Sequence, residues 1–595
     1  MIEDTSTNDK ILTSCYDWYE NGYLSELENH FTAIPQDVLF EGINKVKHDI
    51  IQAYLLSIKG EYSSAEKIAS IALQKSNESG LILYAVDAYL VLMETYERTE
   101  KFDNLAESIE KVESLLDKFD NKNDSHFLHR KIWLFYFKGR IQWWRGNNIT
   151  AQQYFEENLE IAKRINNKFD IAISSRNVAL VIDKLNKQKS KNLQLEAIQI
   201  FREINHPAQL AWSLMNYGAF ISGNRNYEQA LTFYLESLEI REKIGNKNQI
   251  FWSLNNIGGN YASLDKLDKA LEYFEKCYKI AKELGNNSLI LMTYHNRIST
   301  YIDYGDLEKT EYYFKEYIEL PKNINERVQP LWVTYFKAHI YRMKGQIQEV
   351  LDCSNQIIRM VEENENFRNI EALVVGYVYK ITFLLELKEL KQANENLQRI
   401  KYHLDKITDE IMHSIIEQYY KLGEALILKN SLRMKEKVKA QEFFESCIED
   451  KDFTSTSWQK NLSMINLCDL YLEELSTYGD NRTLSDLTDL LTKMKMNSSN
   501  NYYLMIKTII IQAKLALVDG KIQKAEELFT DALSNAREKN LTVLENEIKE
   551  EQNQINDWYK FSNNESTFLE RLQKAQISNY VKEAEKYIGI GKMGF

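Results

Sequence analysis

The sequence predicts an all-α solenoid, a right-handed superhelix of antiparallel helix pairs, and three observations carry that expectation. First, the chain repeats at an offset of 40: Ala211–Ile240, Phe251–Ile280 and Leu291–Leu320 align, placing Trp212 on Trp252, Gly218 on Gly258 and Ala230 on Ala270. Tyr234 falls on Phe274 and Phe314 in the same alignment. Second, each repeat holds two stretches with apolar residues at helical spacing. Third, the breakers sit at the ends of those stretches. Gly60, Gly146, Gly305, Gly345 and Gly520 follow first helices, Gly245 and Gly285 follow second helices, and Pro35, Pro207, Pro321 and Pro330 lie between units.

With Ala211 as position 1, position 8 of a unit is small, position 20 is Ala, position 24 is aromatic and position 27 is small. Position 8 then runs through Ala53, Met93, Gly139, Val178, Gly218, Gly258, Ile298, Ala338, Ile381, Gly423, Leu467 and Ala513, at spacings of 39 to 46. A small residue at position 8 lets the second helix approach the first, Ala at position 20 fills the same contact, and the aromatic at position 24 is expected to fill the space between neighbouring units. Helices apolar on more than one face must stack on neighbours. Four regions follow: a degenerate helix pair over 1–40, a regular array over 41–380, irregular units over 381–540 with a longer internal turn at 429–438, and two capping helices over 541–595. The first cap is very polar, which suits the end of a stack.

The pattern of small, apolar, Ala, aromatic and small residues at positions 8, 11, 20, 24 and 27 resembles the tetratricopeptide repeat family. The period of 40 is similar to the longer-helix variant of Pins-type adaptors, kinesin light chains and bacterial peptide-sensing regulators. The resemblance implies a concave channel that binds a peptide or protein segment.

Composition narrows the function. The 595 residues are 44% hydrophobic and carry a net charge of −13, so there is no overall basic footprint for nucleic acid or an anionic membrane. The five cysteines are scattered and never in CxxC spacing, which suits a reducing, cytoplasmic setting better than disulfides or a zinc ribbon. No stretch has the roughly 18 apolar residues a membrane span needs. No HExxH, GxSxG or GxxxxGK[ST] motif occurs, so no catalytic residue, cofactor or metal site is expected. Gly589–Lys592 follows a helix and lacks the Ser/Thr of a phosphate loop. His126 and His129 stand three apart without a third ligand, and read as surface histidines of the charged insert 120–130. Cys277 and Cys447 fall at position 27 and read as core.

At about 100° per residue, positions 2, 6, 9 and 13 of the first helix lie about 180° from its packing face, on the row that lines the channel in this family. Position 6 reads Arg176, Asn216, Asn256 and Asn296, with Arg140 at position 9 one unit earlier; position 2 reads Trp212, Trp252, Met292 and Trp332. An amide ladder can hold a peptide backbone and the indoles can give pockets. The same residues could instead pack between helices, and both readings stay open. The Lys and Arg of the carboxylate clamp used by chaperone-binding relatives are missing around Asn256. The expected function is a non-catalytic scaffold or adaptor for a protein or peptide partner. The alternative is a partner-sensing regulatory subunit acting on a separate effector chain.

Overall fold

The computed structural model describes residues 2–561 except 36, 37, 184, 321–328, 364–369, 408, 409, 450–456, 479, 480, 499, 500, 519 and 520. Among them there are 27 α-helices and no strand. Gly520, Pro321, Gly589–Lys592 and the second capping helix lie outside the described residues.

The chain divides into two compact units, Met1–Asn260 and Tyr261–Phe595. The first contains α1 (Ile2–Asn21), α2 (Leu24–Thr32), α3 (Gly42–Lys59), α4 (Tyr62–Glu78), α5 (Ile82–Arg98), α6 (Phe102–Asp117), α7 (Ser125–Trp144), α8 (Asn148–Ile165), α9 (Lys168–Ile182), α10 (Lys187–Glu203), α11 (Pro207–Gly223), α12 (Tyr227–Ile244) and most of α13 (Lys247–Ser263). The second contains α14 (Leu267–Glu283), α15 (Asn287–Tyr304), α16 (Leu307–Glu319), α17 (Gln329–Lys344), α18 (Ile347–Glu363), α19 (Ile370–Glu386), α20 (Leu390–Leu404), α21 (Glu410–Lys429), α22 (Met434–Ile448), α23 (Ser457–Tyr478), α24 (Asn481–Asn497), α25 (Tyr502–Val518), α26 (Ile522–Glu538) and α27 (Thr542–Phe561).

The repeat phase is that of the sequence. All twelve position-8 residues, from Ala53 to Ala513, are buried and lie on the first helix of a pair. Ala65, Ala151, Ala230, Ala270, Ala393, Ala440 and Ala525 at position 20 are fully buried. Cys277 and Cys447 are buried, as are the other three cysteines. Two details differ from expectation. The aromatic at position 24 packs on position 8 of its own unit: a Cβ on Gly218 would lie 2.9 Å from the Tyr234 ring, and one on Gly139 would lie 2.5 Å from Phe155. The ring needs the whole width of a missing side chain, so the glycine answers its own unit. The turn expected over 429–438 is shorter, because α22 already starts at Met434.

First helices end in a left-handed residue. Gly60 (φ 82°), Gly146 (φ 79°), Gly305 (φ 72°) and Gly345 (φ 73°) take that conformation without a Cβ penalty. Glu100, Arg225, Asp265 and Lys388 adopt it at the same repeat position with a side chain in place. Pro207 and Pro330 stand in the first turns of α11 and α17, where an N–H would be unpaired anyway.

Each unit curls until its early helices meet its late ones. In the first, Asn246 Nδ2 donates to the Ile58 carbonyl (2.9 Å), and a Cβ on Gly60 would lie 2.8 Å from Asn246 Oδ1. In the second, Asn501 Nδ2 donates to the Asp303 carbonyl (2.6 Å), and a Cβ on Gly345 would lie 2.8 Å from Val543. Leu307, Ile340 and Met343 share a core there with Ile506, Ile510, Phe529 and Leu544.

Candidate functional site

The curl of the first unit brings the inner faces of α5, α7, α9 and α11 together. Asp87, Glu94 and Arg98 on α5, and His129, Tyr136 and Arg140 on α7, recur at spacings of four and seven, so each set lines one helix face. Three polar clusters result.

The first cluster is centred on Arg130, which is 2% exposed. Its NH2 donates to Glu20 and Asp87, each at 2.6 Å, and its NH1 donates to the His126 carbonyl at 2.8 Å. Tyr16 also donates to Asp87. Burial alone would push the guanidinium down, but Asp87, Tyr16 and Glu20 hold it well above its usual value. Beside it His126 is exposed and meets Glu20 at 2.9 Å. His129 is not a surface residue as expected: it is buried and its Nδ1 lies 2.7 Å from Asp170. The insert is shorter than it looked, because α7 already begins at Ser125 and turns His129 inward.

In the second cluster Arg140 Nε donates to Glu97 Oε1 at 2.7 Å, with the guanidinium 5.0 Å from the Trp143 and Trp144 rings. The third holds Arg98, Arg176 and Arg241. Arg98 lies 3.7 Å over the Trp212 ring, and Arg176 NH1 donates to Gln209 Oε1 at 2.6 Å. Arg241 NH1 donates to the Gln249 carbonyl and to Ser253 Oγ, each at 2.9 Å.

Of the expected site residues, Arg140, Arg176 and Trp212 are thus brought together in the interior, the two arginines buried and partnered by the chain itself. Asn216 and Asn256 are half-buried on α11 and α13, and Trp252 is 39% exposed. Met292, Asn296 and Trp332 are half-buried in the second unit, where Trp332 packs edge-on against His295 at 4.4 Å. Glu94 and Arg98 occupy positions 9 and 13, so the inner-row rule could have found them. Glu97, Gln209, Arg241 and Asn246 lie off that row, and nothing periodic marks them.

Residues 209–283 match the tetratricopeptide repeat family model. Those residues are tetratricopeptide repeats. Among curated proteins none matches the chain. Solved structures similar to it include a Rap protein complexed with Competence and Sporulation Factor, 16% identical, covering 58% of this chain and 99% of that one, with a TM-score of 0.40. Another is a STAND signal-transduction ATPase with a tetratricopeptide repeat sensor from Pyrococcus horikoshii, 19% identical, covering 58% and 53%, with a TM-score of 0.41. A third is the human IFIT1 dimer with m7Gppp-AAAA, 14% identical, covering 82% and 99%, with a TM-score of 0.37. Among the described residues no helix is long and apolar enough to cross a membrane, and no His, Cys, Asp and Glu side chains group as metal ligands.

The tetratricopeptide repeats open at α11 on a buried histidine with a pH consequence. His206 Nδ1 accepts from the Gln209 N–H at 3.2 Å, so Nε2 carries the proton toward Tyr54 Oη at 3.2 Å. Burial pushes the ring down to about 3. Below pH ~6.5 the unfolded chain takes up a proton that the folded ring refuses, so stability is full above that value and lost as pH falls. Denaturant midpoints at pH 7.5 and 5 should show a loss of about 2 kcal/mol in the native chain relative to His206→Asn. Equal losses would place the proton elsewhere.

Proposed function

We propose that the chain is a non-catalytic scaffold that holds a peptide or protein segment against its inner helix row. Trp252 carries the reading. It is 39% exposed while its neighbour Phe251, against which it packs edge-on, is fully buried, so part of the indole is open to a partner. Asn256 lies one turn further along α13, and Trp212 and Asn216 hold the equivalent places on α11. An indole supplies apolar contact area and an amide supplies both a donor and an acceptor for a backbone. Arg176, 5.7 Å from the Trp212 ring, supports that row from inside rather than touching the partner. In the second unit, taken by itself, Asn296 and Trp332 stand at the same repeat positions, with Met292 where the first unit has Trp.

The test is co-purification with the full chain from its own cells, with stability measured in parallel. Trp252→Ala should weaken the recovered partner's binding by about 2 kcal/mol or more, as loss of an interface anchor does. Replacing Asn216, Asn256 and Asn296 together by Ala should also weaken it while leaving the melting temperature unchanged. A triple variant that melts early and keeps its partner would make the row structural. An effector enzyme as the stoichiometric partner would make the chain a regulatory subunit.

A further inference from the structure

The third cluster of the first unit has more buried positive charge than its own carboxylates balance. Arg241 is 2% exposed and Arg176 is 4% exposed, and among the described residues neither has an ion-pair partner within 4.0 Å. Each leaves its Nε buried with no hydrogen-bond partner. Arg98 meets only Glu94, at 3.9 Å. The neighbouring Arg140 and Glu97 cancel one another. His206 adds no charge, since burial keeps it neutral. Three guanidiniums therefore share one carboxylate.

Two of the three, Arg98 and Arg241, line a small cavity. Counted out through its open mouth into solvent its space is about 390 Å³, only a water-sized part of it enclosed, and Arg98, Arg241, Trp212, Asn246, Gln249 and Glu94 are among the residues that line it. Burial pushes Arg241 down to about 9 and Arg176 to about 10, and the like charge of Arg98 adds to the shift of both. A guanidinium does not shed its proton in a protein, so such a group is short of an anion. A buried cation without a counter-charge is costly, whereas charge-assisted bonds to an oxyanion are strong and suit the planar guanidinium fork.

We propose that the cavity bounded by Arg98, Arg241, Trp212 and Asn246 binds one oxyanion, a carboxylate or a phosphate group. Arg241 and Arg98 both line it, Arg98 lying over the Trp212 ring, and the Gln249 amide can add a neutral donor. The open side lets the remainder of a larger ligand reach solvent. This site does not rest on the scaffold reading and stands or falls separately from it.

The experiment is calorimetric titration of the purified full chain, in a buffer without small oxyanions, with inorganic phosphate and with acetate. Sodium chloride at equal ionic strength is the control. Saturable binding of at least one oxyanion is expected, weakened on the order of tenfold or more in both Arg241→Gln and Arg98→Gln. Arg98→Gln keeps the test open if the Arg241 variant fails to fold, because Arg98 is only partly buried. Acetyl-trialanine with a free or an amidated C-terminus then separates the sources. Preference for the free carboxylate marks the end of a peptide as the ligand, and equal weak binding of both beside tight phosphate binding marks a free anion. No saturable heat beyond the chloride control, or binding unchanged in the folded variants, overturns the proposal.

Discussion

Replacing Arg130 by methionine is expected to destabilise the first unit by about 3–5 kcal/mol, the usual cost of removing one partner from a buried ion pair. The guanidinium sits between Glu20 and Asp87 at 2.6 Å each, and its loss leaves Asp87 at 1% exposure with the Tyr16 hydroxyl as its remaining hydrogen-bond donor among the described residues. Lysine should rescue little, because a single ammonium cannot also reach the His126 carbonyl that NH1 holds at 2.8 Å. Urea denaturation measures the effect. Neutralising the acids as well, with Glu20→Gln and Asp87→Asn added to Arg130→Met, should recover much of the loss, since the cost lies in the stranded carboxylates. A change under about 1 kcal/mol in the single variant would mean that water reaches the acids as freely as at a surface pair.

Phe169→Ala is expected to cost about 3–5 kcal/mol and to release the N-terminal helix pair. Phe169 is 4% exposed on α9 and stacks on His206 at 5.2 Å, with Trp133 at 6.1 Å and Phe201 at 6.2 Å. Its ring also presses on Gly22, the first of two residues between α1 and α2, so tightly that no Cβ fits there. That contact, together with Ser25 Oγ donating to the Asn205 carbonyl at 3.1 Å, ties the irregular pair to the array. Hydrogen exchange should therefore show α1 and α2 losing protection first. Loss of stability without early exchange in those helices would place the cavity's cost inside α9 and α10 alone.

Both effects depend on contacts between residues far apart in the chain, and this separates what was legible from what was not. The repeat phase was legible because every pair meets the same local demand. A small residue at position 8 must admit the partner helix, and a left-handed residue must end the first helix, so both recur with the period. Gly60 and Gly345 were read on that ground as helix ends, and they are. Their second role, admitting Asn246 and Val543 from late in the same unit, leaves no periodic trace.

The amino-acid sequence by itself determined the class, the helix pairs and which face of each pair is core, because those follow from contacts within about one repeat of any residue. Only the tertiary structure decided where the inner faces of each unit meet. Small rotations between successive pairs add along the stack. Their sum brings Ile58 against Asn246 and Asp303 against Asn501, contacts that no local pattern encodes. The same sum turned Arg140 and Arg176 from an inner row into the buried interior, each in its own polar cluster, and left Trp252 partly exposed.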